Sequence, residues 1–180
     1  MSNNSYKNTI EPALLYGGIT GGAILLHSVV LYALDASFSI YSQIMGYLLP
    51  IALLVLVLSM YRKEKLNGVM SYSQSFIMGS LTMVVAGVIS AIYMFVFIKY
   101  IDPDFVNVMM QMQEDKMLEK GMDEAAIEQA MDFTSKMRSV GFLTVMAFVG
   151  TAFMGVIFSA IVSIFLKKES KDPFAGVAEN

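Results

Sequence analysis

The sequence predicts an all-α integral membrane protein with four transmembrane helices and an extracytoplasmic amphipathic helical hairpin between helices three and four. Three observations predict it. Hydrophobic residues make up 56% of the 180 positions and charged residues only 15%, against about 25% charge in an ordinary soluble domain. The charges are clustered rather than spread along every helix. Four runs of at least 20 residues carry no Asp, Glu, Lys or Arg, and about 20 helical residues cross the roughly 30 Å hydrocarbon core.

The runs lie at about 13–34, 40–60, 76–98 and 140–166. Inside lipid the backbone has no water partner, so a spanning segment is a helix or a closed barrel strand. Barrel strands alternate polar and apolar residues, and these runs do not. The first run is too long for the apolar region of a signal peptide, and Asp35 stands where a cleavage site is needed. It is read as a retained helix. Residues 1–12 read as a polar N-terminal tail, 13–166 as the membrane domain with the hairpin at 99–139, and 167–180 as a polar C-terminal tail.

Orientation follows from the basic residues. With four crossings, the termini share a side with the second-to-third connection. That side carries Lys7, Arg62, Lys63, Lys65, Lys167, Lys168 and Lys171. The other side carries Lys99, Lys116, Lys120, Lys136 and Arg138, diluted by nine acids in the same loop. Both termini are therefore expected in the cytoplasm and 99–139 outside it, across a bacterial inner membrane. Tyr32, Tyr41, Tyr61, Tyr72 and Tyr100 sit near the borders, whereas Tyr16, Tyr47 and Tyr93 lie deeper and need internal partners.

In the long loop, Asp102 and Pro103 read as a helix cap, with Asp104 favouring the positive end of the dipole. Phe105, Val108, Met109 and Met112 recur at helical spacing, and Gly121 ends that arm. Asp123 caps a second arm whose inner face is Ile127, Ala130, Met131, Thr134 and Met137. The two stripes bury against each other or lie on the lipid interface.

Absences narrow the function. A net charge of −3 leaves no basic face for nucleic acid, and the lack of cysteine removes disulfides and thiolate sites. One histidine does not build the usual multi-histidine metal site. Neither a metal nor another cofactor is expected. Serine-hydrolase, zinc-protease, phosphate-loop and dinucleotide motifs are all missing. Gly17 to Gly22 lies in an apolar span with no strand before it, so it is no phosphate loop.

Four features remain. Gly17, Gly18, Gly21 and Gly22 form small-xxx-small pairs on the first helix, and Gly79, Ala86, Gly87, Ser90 and Ala91 dot the third. Ala147, Thr151, Gly155, Ser159 and Ser163 recur every four residues on the fourth. Such ridges let helix backbones approach closely, and the last is expected to face helix one. Packing within the bundle is the plain reading; a homodimer face or a pore lining is the sharper one. His27 lies inside a span and titrates near neutrality, but no membrane acid accompanies it, so a structural histidine bonded to a hydroxyl is the simpler account. Met109, Met110, Met112, Met117, Met122, Met131 and Met137 would suit Cu(I), yet methionine is used throughout the chain and serves as adaptable filler. Pro50, one turn after Gly46, should kink helix two, as bundle shaping or as a hinge.

The order of motifs resembles the bacterial membrane family called domain of unknown function 4199, over residues 10 to 168. The resemblance rests on Tyr61-Arg62-Lys63-Glu64-Lys65-Leu66-Asn67-Gly68, Ser71-Tyr72-Ser73-Gln74-Ser75-Phe76 and Gly79. It continues through Tyr93, Ile101-Asp102-Pro103-Asp104-Phe105, Lys120-Gly121-Met122-Asp123-Glu124 and Ile127-Glu128-Gln129-Ala130. It ends in Gly155 and Ser163-Ile164-Phe165-Leu166-Lys167-Lys168. Ser139-Val140-Gly141 departs from the pattern, which has a proline before the glycine. The resemblance implies four membrane helices in Bacteroidetes-like bacteria and supplies no activity and no catalytic residue.

The reading is therefore a non-enzymatic membrane protein acting as an interaction or assembly module. Its expected partners are the lipid bilayer and either a second copy or another membrane protein. The alternative is a small transporter or channel subunit with His27 as a pH-sensitive group.

Overall fold

The computed structural model describes residues 3–168, with side chains from residue 10 onward. The described residues are all-helical, with 85% of them in helices. The elements are α1 (Asn3–Ala33), α2 (Ile40–Lys65), α3 (Tyr72–Val96) running into a π-helical segment (Phe97–Ile101), α4 (Phe105–Glu119), α5 (Glu124–Lys136) and α6 (Val140–Leu166). Among the described residues, four stretches are long and apolar enough to cross a membrane: Ile10–Ala33, Ile40–Lys65, Tyr72–Ile101 and Val140–Leu166. This is the pattern of a multi-pass membrane protein.

The helix ends follow local chemistry. Ser39 caps α2: its Oγ accepts from the Ser42 N–H at 3.1 Å. Arg62, Lys63 and Lys65 occupy the last turn of α2, where the dipole is negative. Ser71 and Gln74 form a reciprocal capping box at α3, with bonds of 3.2 and 2.9 Å. Ser139 Oγ accepts from the Phe142 N–H at 3.3 Å and starts α6.

Two readings change. α1 begins at Asn3, inside the stretch read as a tail, and runs through Pro12. Polar residues give no apolar signal, yet they extend a helix already nucleated by the span. The cap of α4 also moves. Asp102 donates its N–H to the Phe97 carbonyl at 2.9 Å, closing the π turn, so it ends one helix instead of starting the next. The N-cap position belongs to Asp104, whose carbonyl takes the first bond, from Val108 N–H at 3.1 Å. Of the C-terminal tail, residues 169–180 lie outside the described residues.

The chain divides into two compact units, 1–89 with 150–180, and 90–149. In the first, the core gathers Ala13 and Tyr16 of α1, Leu54, Val57, Leu58 and Tyr61 of α2, Met78 and Met83 of α3, and Phe158 and Val162 of α6. In the second, the buried residues are Phe97, Ile98, Val106 and Ile127. Phe97 meets Phe105 edge-on, with ring centroids 5.0 Å apart, and α4 packs against α5. The turn between them is a Schellman motif: Met122 N–H bonds Met117 O at 3.1 Å and Gly121 N–H bonds Leu118 O at 2.9 Å. Gly121 supplies the required left-handed backbone, with φ of 69°.

Candidate functional site

In the first unit, the small residues do the positioning. Gly17 and Gly21 of α1 press on α3. A Cβ at Gly17 would stand 2.7 Å from Val85 Cγ1 and 2.9 Å from the Thr82 carbonyl oxygen. One at Gly21 would stand 2.7 Å from Ile89 Cδ1 and 3.1 Å from Ala86 Cα. Gly18 and Gly22 face open space. Only one of the two overlapping glycine pairs is therefore a packing face.

The ridge on α6 faces α3, not α1 as expected. A Cβ at Gly155 would stand 2.7 Å from Met83 Cγ, and one at Gly79 would meet Ser159 Oγ at 2.8 Å. Ser163 donates a hydrogen bond to Ser75 at 2.9 Å, and both side chains are fully buried. Thr151 is half-buried and Gly87 is buried. Ala147 belongs to the second unit and is half-buried there. α3 is thus the helix on which α1 and α6 both close. It also meets α2, since Gly79 lies under Leu58.

One end of this unit carries polar ties that the sequence did not disclose. Tyr16, buried on α1, donates its hydroxyl to Glu64 Oε2 at 3.1 Å and meets the Tyr61 ring edge-on at 6.2 Å. Arg62 donates to the Leu166 carbonyl at the end of α6, at 2.9 Å. Met70 and Lys168 exchange two backbone hydrogen bonds of 2.9 and 2.8 Å. Sequence alone shows a basic turn after α2. It does not show that two of its residues reach α1 and α6.

His27 is half-buried on α1 and lies edge-on to Tyr41, ring centroids 6.0 Å apart. Its Nε2 is buried with no hydrogen-bond partner, so the expected hydroxyl partner is not found at that nitrogen. Thr20 and Thr82 hydroxyls are likewise buried without a partner. Pro50 sits within an α2 that continues through it. Proline has no N–H to give the carbonyl four residues back, which is that of the exposed Gly46. Tyr47, expected to need an internal partner, is exposed.

The second unit holds a groove of about 630 Å³ between α4 and α5. Its apolar surface comes from Met110 and Leu118 on α4 and from Ile127 and Met131 on α5. Glu114, Glu124, Glu128 and Asp132 border it. Ile127 is buried at its base, whereas Leu118 is 53% exposed. Of the stripe read on α4, Phe105, Met109 and Met112 are half-buried and Val108 is exposed, while Val106 is buried. The sequence leaves two arrangements open, the stripes covering each other or lying on the lipid interface. In the structure α4 packs on α5 and a groove stays open beside the contact, with Glu114 one turn from both Met110 and Leu118. The carboxylates are strung along the helices rather than converging. Among the described residues, no group of three His, Cys, Asp or Glu is arranged to hold a metal ion.

No curated protein and no solved structure matches the chain. The family described as protein of unknown function (DUF4199) matches residues 15–168, which takes in the glycine seam, the polar end and the acidic groove alike, and the chain belongs to that family.

Proposed function

We propose that this is a non-enzymatic protein of the bacterial inner membrane that serves as an interaction module. Its termini are cytoplasmic, and segment 99–139 forms a helical hairpin on the outer side. The hairpin is the working surface. The observation that supports this is the open groove between α4 and α5, with an apolar floor and a carboxylate border. A pair of helices built only for stability would close over Leu118 and Met131; an uncovered apolar channel of this kind suits a docked partner. The membrane helices support the reading from the other side. Gly17 and Gly21 of α1 and Gly155 of α6 are taken up in contacts with α3, which suits a scaffold.

Two experiments test it. The chain has no cysteine, so single cysteines report topology directly. A cysteine at Gln113 is expected to react with an impermeant maleimide in intact spheroplasts, and one at Lys65 only after lysis; the reverse pattern overturns the orientation. A photo-crosslinking residue at Leu118 is expected to capture a defined protein in native membranes. The same probe at Phe165, which is 80% exposed, is expected to give lipid adducts. Lipid adducts alone from position 118 would overturn the interaction reading.

A further inference from the structure

From the groove's shape and charge we infer that its occupant is a basic amphipathic α-helix of another protein, laid lengthwise between α4 and α5; this rests on the interaction reading above. Three observations select that chemistry. The first is length. The groove follows α4 from Met110 to Leu118 and α5 from Glu124 to Ser135, about 12 and 16 Å at the helical rise, which matches about three turns of a third helix.

The second is register. Glu124, Glu128 and Asp132 follow one another every four residues along α5, and Met110, Glu114 and Leu118 do so along α4. Lysines or arginines four apart on the incoming helix meet the first set, and its apolar stripe meets Ile127, Met131 and Leu118. Methionine in the floor adapts to varied apolar side chains. Asp132 already holds Lys136 at 2.7 Å, so Glu114, Glu124 and Glu128 supply most of the attraction.

The third is what the groove lacks. No aromatic side chain lines it, so it has no cage for a quaternary ammonium. The carboxylates do not gather into a cation site. A second copy would bring the same acidic helices, and like charges oppose that pairing. Anionic lipid headgroups are opposed for the same reason.

The test uses the full-length protein in phosphatidylcholine nanodiscs. The probe is a fluorescein-labelled helical peptide of about 18 residues, with leucines on one face and lysines four apart on the other. Anisotropy should show saturable binding that weakens with added salt. The triple variant Glu114→Gln, Glu124→Gln, Glu128→Gln changes only exposed side chains. It should lose about tenfold in affinity, in line with three exposed charge pairs. Leu118→Gln should weaken binding with little change in its salt dependence. Circular dichroism of each variant should match the parent. Equal binding by the triple variant, by a scrambled peptide of the same composition, or by a peptide with glutamate for lysine overturns the inference. Crosslinking at position 118 separates the two levels. A captured partner without peptide binding defeats the basic-helix assignment alone; loss of both defeats the interaction reading as well.

Discussion

The two units bury different things. The first sets small groups among its large core residues: Gly17, Gly21, Gly79 and Gly155 admit neighbouring side chains, and Ser75 bonds Ser163 out of reach of solvent. The second buries only large apolar groups, Val106 and Ile127 in α4 and α5 and Phe97 and Ile98 at the end of the span Tyr72–Ile101, and leaves a charged groove open. Under the topology proposed above, the difference follows from two solvents. Between helices in lipid there is no hydrophobic drive, so association depends on close contact and internal hydrogen bonds. A helix such as α5, charged on one face and apolar on the other, gains by removing its apolar face from water. Substitutions that are mild in one unit should therefore be severe in the other.

The largest effect is expected at Gly17. Leucine there must displace β-branched Val85 and approach the Thr82 carbonyl, and backbone does not yield cheaply. Gly17→Leu should lower stability in mild detergent by about 3 kcal/mol. Gly18→Leu, which meets nothing within 4 Å, should shift the unfolding midpoint little. Equal behaviour of the two variants would break the claim that one glycine pair carries the α1–α3 contact.

Next comes Ile127, the buried anchor of α5. Ile127→Ala should cost about 2 kcal/mol. The loss should appear as faster amide exchange confined to α4 and α5, with the α1–α3 contact unaffected. Exchange that spreads evenly through all six helices would show that the two units do not respond separately.

Much of the fold was legible because membrane helices announce themselves by length and lack of charge. The start of α6 at Val140 follows directly after Arg138 and Ser139, where the charge stops and a capping hydroxyl stands. Gly121 was readable because few residues accept a left-handed backbone. What failed was pairing. Periodicity places Gly155, Ser159 and Ser163 on one face, but it does not say which neighbour fills it; α3 does, through Met83, Gly79 and Ser75. Asp102 was misplaced because a π turn absorbs one extra residue and shifts the next helix start. In the sequence Arg62 counts only toward orientation, and its bond to Leu166, 104 residues away, leaves no local trace. The groove leaves no trace in the sequence because periodicity gives each helix its stripe but not the offset between two paired helices.

Ser163→Ala sharpens the comparison at a smaller scale. It strands the buried Ser75 hydroxyl beside an apolar methyl, which should cost about 1 kcal/mol. The double variant Ser75→Ala, Ser163→Ala should cost less than the two single changes added together, because no polar atom is then left unpaired. Strict additivity would mean that the 2.9 Å contact contributes nothing to the α3–α6 interface.

The smallest effect is expected from Asp132→Asn. Asp132 and Lys136 are 2.7 Å apart, and their side chains are 64% and 70% exposed. An exposed pair at this spacing contributes only about 0.3–0.5 kcal/mol, because water screens it and two flexible side chains are held in place. The unfolding midpoint should scarcely move, and salt should erase what difference there is. A loss above about 1 kcal/mol would place this pair in a desolvated setting and make the acids of the second unit part of its internal stability. A negligible loss leaves the carboxylates as surface charge that folding does not require, which is the condition under which an acidic groove border can be used to select a partner.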